Sequence, residues 1–217
     1  MTNKVIYTSI FGNYDDLKTP EIYDDDVDYK CFTDNTSIES DVWEIIIIKA
    51  EVSKNSSKSS KFVKICPHKF LSEYKYSLYI DGSMTLINNI DMVKLLNGKK
   101  LAMELHQRRD CVYKEAKACK RLKKDKPSII NEQIRRYKQL KFPRHAGLRA
   151  NGVMIREHND PQLINLNECW WQQVLRYSRR DQLSFPFVFL NYPIESIPMS
   201  TRESFIRMSR HKKANKR

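Results

Sequence analysis

Residues 74–83 read Tyr-Lys-Tyr-Ser-Leu-Tyr-Ile-Asp-Gly-Ser, an aromatic and aliphatic run that ends on an aspartate and a glycine. This run predicts a buried strand that ends at Asp81. Ligands of open α/β sheets bind outside the carboxyl ends of the strands, so Asp81 is a candidate site residue. An aspartate before a glycine is also typical of an ordinary turn. The motif alone leaves both interpretations open.

The rest of the chain alternates predicted strands and helices. Further strands are predicted at residues 4–10, 29–32, 43–49, 101–105 and 152–156, and helices at residues 90–96, 110–122, 127–140 and 161–177. Residues 181–190 are predicted to form a short helix or an irregular apolar segment. The four isoleucines at 45–48 indicate a strand buried on both faces, and Asp110 is the expected N-cap of its helix. The alternation predicts one α/β domain with a mostly parallel central sheet and helices on both faces. We assign residues 1–205 to this domain and residues 206–217 to a basic C-terminal tail.

The charge of the chain is large and uneven. The net charge is +13 over 217 residues. Residues 1–44 hold three lysines and eleven acidic residues, a net charge of −8, which leaves +21 for the remainder. Such a field suits polyanions, including nucleic acid, an anionic membrane surface and phosphate-bearing small molecules. The basic tail has the composition of a disordered or surface-adsorbing arm.

Several function classes lose support from absent motifs. The five glycines form neither a dinucleotide-binding nor a P-loop pattern, and no G-x-S-x-G or H-E-x-x-H motif occurs. The five cysteines are scattered without a C-x-x-C pair, which favours reduced and mostly buried thiols. No secretory or membrane-spanning run is visible. We therefore expect a soluble, cytoplasmic protein.

Six segments together resemble the DUF616 group of glycosyltransferase-like proteins. In chain order they are VIYTSIFGNYD (5–15), CFTD (31–34), KICPH (64–68) before YID (79–81), HQRRDCVYKEA (106–116), LRANGVMIREH (148–158) and RDQLSF (180–185). The resemblance spans most of the chain. It implies a single GT-A-like (Rossmann-like) domain that binds a nucleotide-sugar at the carboxyl ends of its strands.

The resemblance also implies a metal site. GT-A enzymes commonly hold Mn²⁺ or Mg²⁺ against the donor diphosphate through a D-x-D motif, because hard cations prefer carboxylate and phosphate oxygens. Here the motif reads Asp81-Gly82-Ser83. The implied ligands are Asp81, helped by Ser83, and a C-terminal histidine for which His211 is the candidate. A hydroxyl replaces the second carboxylate, which puts strong metal binding in doubt.

Basic side chains are the alternative partners of a donor diphosphate. The candidates in or beside the matching segments are Lys61, Lys64, Arg109 and Arg156. For each of them an ordinary surface salt bridge is the competing interpretation. The nucleoside is expected near Thr8, Tyr14 and Asp34, which follow or end the first two strands. Simple packing of the loop by Tyr14 remains the alternative there.

The acceptor and the catalytic group are expected toward the C-terminal half. Asn151-Gly152 resembles an acceptor-side N-x-G element, although Asn-Gly also favours a tight turn. His106 and Trp171 are further acceptor candidates, with one tryptophan of the Trp170-Trp171 pair expected in the core. Asp181, followed by Gln182, is the catalytic candidate; it would orient sugar hydroxyls, act as a base or stabilise an oxocarbenium-like charge. A plain helix-capping role for Asp181 is the alternative.

The sequence thus predicts a glycosyltransferase that moves a sugar from a nucleotide donor, expected to be UDP-linked, to a hydroxyl of a glycan or lipid-linked glycan. Such reactions build surface polysaccharides. The basic tail would place the enzyme against an anionic membrane. The alternatives are a non-catalytic carbohydrate- or nucleotide-binding protein on the same fold and a basic nucleic-acid-binding protein. Nucleic acid is disfavoured because no nucleic-acid-binding module is legible and carboxylates at strand ends repel a polyanion.

Overall fold

A computed structural model describes residues 3–52 and 55–212. Its strands are β1 Lys4–Ile10, β2 Asp28–Thr33, β3 Glu44–Ile47, β4 Tyr76–Ile80, β5 Met84–Leu86, β6 Leu101–Leu105, β7 Arg149–Arg156, β8 Glu195–Ile197 and β9 Ile206–Met208. Its helices are α1 Ser56–Ile65, α2 Met92–Leu96, α3 Val112–Arg121, α4 Pro127–Gln139, α5 Pro161–Arg176, α6 Asp181–Val188 and α7 Met199–Phe205, with a 3₁₀ turn at Pro67–Lys69.

Seven strands form the central sheet in the order β3-β2-β1-β4-β7-β6-β8. The pairs β1–β2, β1–β4, β2–β3 and β6–β8 are parallel, whereas β7 is antiparallel to both β4 and β6. The carboxyl ends of β1, β2, β4 and β6 therefore lie at the same edge as the amino end of β7. This arrangement confirms the predicted α/β class and the mostly parallel sheet.

Helices cover both faces of the sheet because alternate strand residues are apolar on both sides. In β1, Val5 and Tyr7 belong to the cluster packed under α1 and α5, and Ile6 and Ile10 to the cluster packed under α2 and α7. A smaller apolar cluster joins α3, α4 and α6 and includes the buried Leu183. The hairpin of α3 and α4 is thereby attached to the helix that begins at Asp181.

Two local predictions were wrong. The isoleucine strand β3 lies at the edge of the sheet, with no further strand of the described residues on its outer side, and Ile47 is 49% exposed. The strand is therefore not buried on both faces. Asp110 does not cap α3, whose N-cap residue is Cys111. The Asp110 carboxylate instead pairs with Nδ1 of His145 at 2.7 Å.

The beginning of the expected tail is part of the folded structure. Strand β9 pairs antiparallel with β5, and Ile206 is buried. Ion pairs then join this segment to the acidic N-terminal loop: Arg207 to Glu21, His211 to Asp15 and Lys212 to Asp16. Residues 206–212 therefore do not form a free arm. Residues 213–217 lie outside the described residues.

Within the described ranges, no helix combines the length and the hydropathy that crossing a bilayer requires.

Candidate active site

The predicted site residues gather at the edge of the sheet where the parallel strands end. Asp81 directly follows β4. The Asp34 carboxylate, just after β2, accepts a hydrogen bond of 2.8 Å from the backbone N–H of Gly12, just after β1. Asn151 and Gly152 lie near the start of β7 at the same edge. The topology alone thus brings segments from four strands together.

Lys64 connects two carboxylates at this edge. Its Nζ lies 2.9 Å from Oδ2 of Asp181 and 3.4 Å from Oδ1 of Asp81. The side chains of Lys64 and Asp181 are almost fully buried, and that of Asp81 is about one third exposed. The Tyr79 hydroxyl donates a further hydrogen bond of 3.0 Å to Oδ1 of Asp81. Helix α1, the end of β4 and the start of α6 therefore meet at one ammonium group.

Two side chains from the sheet hold the backbone carbonyl of Lys64. Lys64 lies in the last turn of α1, where helical carbonyls lack partners within the helix. Its carbonyl accepts hydrogen bonds from the Tyr7 hydroxyl at 3.1 Å and from Nη2 of Arg156 at 2.8 Å. These partners come from β1 and β7, so the sheet fixes the direction of the lysine.

The electrostatics of the site keep Asp181 ionised. Burial by itself raises the pKa of this carboxyl, but the charges of Lys64, Lys61 and Arg180 outweigh burial and hold its pKa well below the ordinary range. Burial opposes the charge of Lys64, yet the Asp181 and Asp81 carboxylates raise its pKa above the ordinary value. The site therefore contains a stable buried ion pair.

Two more cations lie beside this pair. Lys61 is one turn before Lys64 on α1 and so shares its face. The pKa of Lys61 is lowered to about 8, chiefly by burial; the charges of Lys64 and Arg180 act in the same direction, and Asp181 and Asp81 oppose them. Arg180 is the N-cap residue of α6, and its Nη2 donates to Oε1 of Gln182 at 3.2 Å. Arg180 was not among the expected site residues, although its position beside Asp181 is the signal that could have identified it.

Gly152 allows β7 to approach Asp81 closely. The pairing of β6 with β7 shifts register between Met103 and Glu104, opposite this part of β7. A Cβ at position 152 would lie 3.1 Å from Oδ2 of Asp81 and 2.5 Å from Cε of Met84. The Asn151-Gly152 pair therefore lies inside a strand and not in a tight turn. The Asn151 amide is buried, and neither of its polar atoms has a hydrogen-bond partner among the described residues.

Gln182, the second catalytic candidate, contacts the same strand. Its Nε2 donates to the backbone carbonyl of Arg149 at 3.2 Å. The side chain thus ties the first turn of α6 to β7, with its carbonyl oxygen facing Arg180. A catalytic role for Gln182 stays a prediction.

Three of the expected ligand-binding residues are buried in the structure. Arg156 has no exposed surface and lies behind Lys64, against the Tyr7 hydroxyl. Trp171 is 3% exposed and packs its ring against Phe62 at a centroid distance of 4.9 Å. Thr8 is also buried, at 2% exposure, inside β1. These side chains pack in the core beside the site, and their contacts with a donor or acceptor stay predictions.

His106 and Arg109 form a local network at the end of β6. Nδ1 of His106 accepts hydrogen bonds of 3.1 Å from the backbone N–H groups of Arg108 and Arg109. The Arg109 guanidinium pairs with the buried Glu115 carboxylate. Both side chains are thus engaged within the protein, and their ligand contacts stay predictions.

The expected metal ligands do not fit a divalent cation as they are placed. Oδ1 of Asp81 already faces the Tyr79 hydroxyl and the Lys64 ammonium. Nδ1 of His211 pairs with Asp15 at 2.8 Å, and Ser83 is buried. Across residues 3–52 and 55–212, one group of three or more histidines, cysteines and acids is close enough to share an ion. It consists of Cys66, His68 and Glu168 and excludes the expected ligands.

Two of the three nucleoside candidates, Tyr14 and Asp34, are exposed. Tyr14 is 45% exposed, and its ring centroid lies 5.0 Å from that of His211. Asp34 is exposed beside it along the edge of the sheet. An exposed aromatic ring and a nearby carboxylate are suited to stacking a base and accepting a hydrogen bond from a nucleoside.

Comparisons with known proteins identify a family and a relative that this chain resembles. A family described as TOD1/MUCI70, glycosyltransferase-like domain, matches residues 1–212. A relative from Arabidopsis thaliana, named "Probable hexosyltransferase MUCI70", is 26% identical over 217 aligned residues, covering 85% of this chain and 36% of the relative. The chain therefore spans about a third of the length of this relative.

Proposed function

Because the chain belongs to the TOD1/MUCI70 glycosyltransferase-like family, we propose that it transfers a hexosyl group from a nucleotide-sugar donor to a glycan hydroxyl. The family match confirms the DUF616 resemblance predicted from the sequence. The donor we propose is UDP-linked, and the acceptor is a glycan or lipid-linked glycan in polysaccharide biosynthesis. We assign the chain to the GT-A subclass, since its site lies at the carboxyl ends of a mostly parallel sheet.

The observation that carries the proposal is the Lys64 bridge between Asp81 and Asp181. A buried charge cluster at the carboxyl edge of the sheet is an arrangement typical of a site that acts on charged substrates. A carboxylate held ionised this strongly is a weak base, because proton transfer is most efficient when the pKa lies near the operating pH. Of the three roles considered for Asp181, we therefore favour orienting the donor sugar and stabilising positive charge at its anomeric carbon.

The proposed transfer is a substitution at the anomeric carbon and involves no oxidation or reduction. The bond between the anomeric carbon and the diphosphate oxygen breaks, and its electron pair stays on the nucleoside diphosphate. The acceptor hydroxyl oxygen forms the new bond to the anomeric carbon. The acceptor proton leaves to water or to a phosphate oxygen. The protein contributes a carboxylate near the anomeric carbon and cations near the departing phosphates.

The donor and acceptor are assigned to two sides of the Lys64 bridge. Tyr14 and Asp34, after β1 and β2, would hold the nucleoside. Asn151 and Gly152, across Asp81 on β7, would face the acceptor, because the Asn151 amide has unmet hydrogen-bonding groups that a sugar hydroxyl can satisfy. Contact with an anionic membrane stays a separate proposal, since residues 213–217 lie outside the described residues.

A donor screen tests the proposal. Purified protein is incubated with UDP-hexoses and with GDP-mannose as the contrasting donor, and release of the nucleoside diphosphate is measured with and without oligosaccharide acceptors. We expect turnover with a UDP-hexose and at least a hundredfold loss in Asp181→Asn. Glu132→Gln, which changes an exposed carboxylate on α4, is the matched control and should keep full activity.

Two results would contradict the proposal. Retention of turnover by a folded Asp181→Asn variant would remove the assigned role of this carboxylate. Binding of a nucleotide-sugar without release or transfer would favour the non-catalytic alternative.

A further inference from the structure

The charges at the site leave an excess of cations. Three basic side chains, Lys61, Lys64 and Arg180, act on the Asp181 carboxylate, and Lys61 and Lys64 also act on Asp81. The formal charges of these three cations and two carboxylates add up to +1. A site of this charge favours an anion over a further cation.

Lys64 takes the electrostatic position that a metal would need. Its ammonium lies 3.4 Å from Oδ1 of Asp81 and pairs with the carboxylate that the shortened D-x-D motif would offer. A divalent cation on this carboxylate would lie close to a buried positive charge, and that repulsion is little screened. The Asp81 and Asp181 carboxylates are therefore better matched to the Lys64 ammonium than to a divalent cation.

Lys61 and Arg180 are the cations of the site that can take a further anionic partner. Lys61 forms no ion pair in residues 3–52 and 55–212, and its side chain is half-buried next to Lys64. Nε of Arg180 is buried without a hydrogen-bond partner in the same part of the chain, and Arg180 keeps an accessible surface. Buried donors without acceptors are costly, and a phosphate oxygen satisfies them.

We propose that Lys61 and Arg180 form a diphosphate-binding site that works without a divalent cation. Lys64 stays paired with Asp181 and Asp81, and the excess positive charge brought by the other two cations meets the negative charge that develops on the departing diphosphate. The inference rests on the proposed function for its biological role. The anion site itself is tested with inorganic pyrophosphate, independently of any nucleotide.

The test is isothermal titration of the full chain with pyrophosphate and, separately, with UDP. Each titration is run in EDTA and then with added Mn²⁺. The variants are Lys61→Met and Arg180→Met, with Lys61→Arg as the charge-preserving form. Lys117→Met is the matched control, because Lys117 is an exposed lysine on α3. Thermal unfolding of each variant checks that it is folded.

We expect both ligands to bind in EDTA, with Mn²⁺ changing either affinity by less than threefold. Lys61→Met and Arg180→Met should each weaken binding at least tenfold, while Lys61→Arg and Lys117→Met stay within about threefold of the parent. Binding that requires Mn²⁺ overturns the inference and leaves the glycosyltransferase proposal intact. Equal weakening by Lys117→Met also overturns it, since the anion would then be held by the general basic surface.

The two proposals fail in different ways. Pyrophosphate binding in EDTA without binding of any nucleotide supports the anion site and contradicts the proposed donor class. No binding of either ligand, with or without Mn²⁺, overturns both.

Discussion

Two groups of ion pairs join distant parts of this chain, and they differ in burial. At the carboxyl edge of the sheet, Lys64 meets Asp181 and Asp81 with its own side chain 5% exposed. At the C-terminal segment, Lys212 meets Asp16 at 2.5 Å with both side chains more than half exposed. The distances are similar, but the surroundings are not.

This difference decides what each pair contributes. Buried charges lose their hydration, so each requires its partner, and removing one partner leaves the other unpaired. Exposed charges keep water as an alternative partner. The buried group therefore fixes the geometry of the site, whereas the exposed group only biases where the C-terminal segment lies.

The largest expected effect is that of Lys64→Met. The change leaves Asp181 buried without its nearest cation, and we expect the free energy of unfolding to fall by about 3–5 kcal/mol. Urea denaturation followed by tryptophan fluorescence measures it. The matched change at the exposed pair, Lys212→Met, should cost at most about 1 kcal/mol. Equal effects of the two substitutions would erase the contrast between buried and exposed pairs.

A smaller effect is expected from Gly152→Ala. The new Cβ would lie 2.5 Å from Cε of Met84 and 3.1 Å from Oδ2 of Asp81, so the tightly packed edge must shift. We expect a loss of about 1–3 kcal/mol in the free energy of unfolding, measured in the same denaturation experiment. Ser209→Ala, in the exposed C-terminal segment, should stay within about 0.5 kcal/mol. An unchanged stability of Gly152→Ala would show that this edge has room to adjust.

The pH dependence of anion binding sharpens the contrast further. Lys61 must be protonated to bind a phosphate, and burial lowers its pKa to about 8, with Lys64 and Arg180 acting in the same direction and Asp181 and Asp81 opposing. As pH rises through this value the charge is lost. Pyrophosphate affinity should therefore fall about tenfold between pH 7 and pH 9, relative to Lys61→Arg, which stays charged. Parallel pH profiles for the two proteins would contradict this role of Lys61.

The smallest effect is expected at His211. A hydrogen bond to Asp15 raises the pKa of this histidine against the opposing effect of burial, so the folded protein holds the proton more tightly. The resulting stabilisation is complete below about pH 6.5 and is lost as pH rises through the raised pKa. Because His211 is 38% exposed, solvent screening keeps the contribution below about 1 kcal/mol. Melting temperatures of the parent and His211→Asn should differ at pH 5.5 and converge at pH 9; a constant difference would exclude the pair as its source.

Local pattern predicted much of the fold. Strands β1 and β6 have the predicted bounds, and Pro127 and Pro161 mark the starts of their helices as expected. Proline fixes φ and lacks an N–H, so its preference for the first helical turn needs no tertiary information. The candidates Lys64, Asp81 and Asp181 were also identified from their segments, and the structure brings these three together.

Other site predictions depended on the direction of a side chain. Arg156 and Trp171 belong to segments that match the family, but both point into the core. The β7 segment that carries Gly152 past Asp81 also carries Arg156, which is fully buried behind Lys64. The motif indicated the strand and could not tell which of its faces a ligand would meet.

The sequence by itself determined the α/β class, most of the main strands and helices other than α1, and the carboxylates that follow or begin them, because propensity, periodicity and capping are local properties. Only the tertiary structure decided that β3 is an edge strand and that Lys64 is shared by Asp81 and Asp181. It also decided that Arg180 joins the site. Strand order and burial arise from contacts between residues far apart in the chain, and a buried charge acquires its partner only when those segments meet.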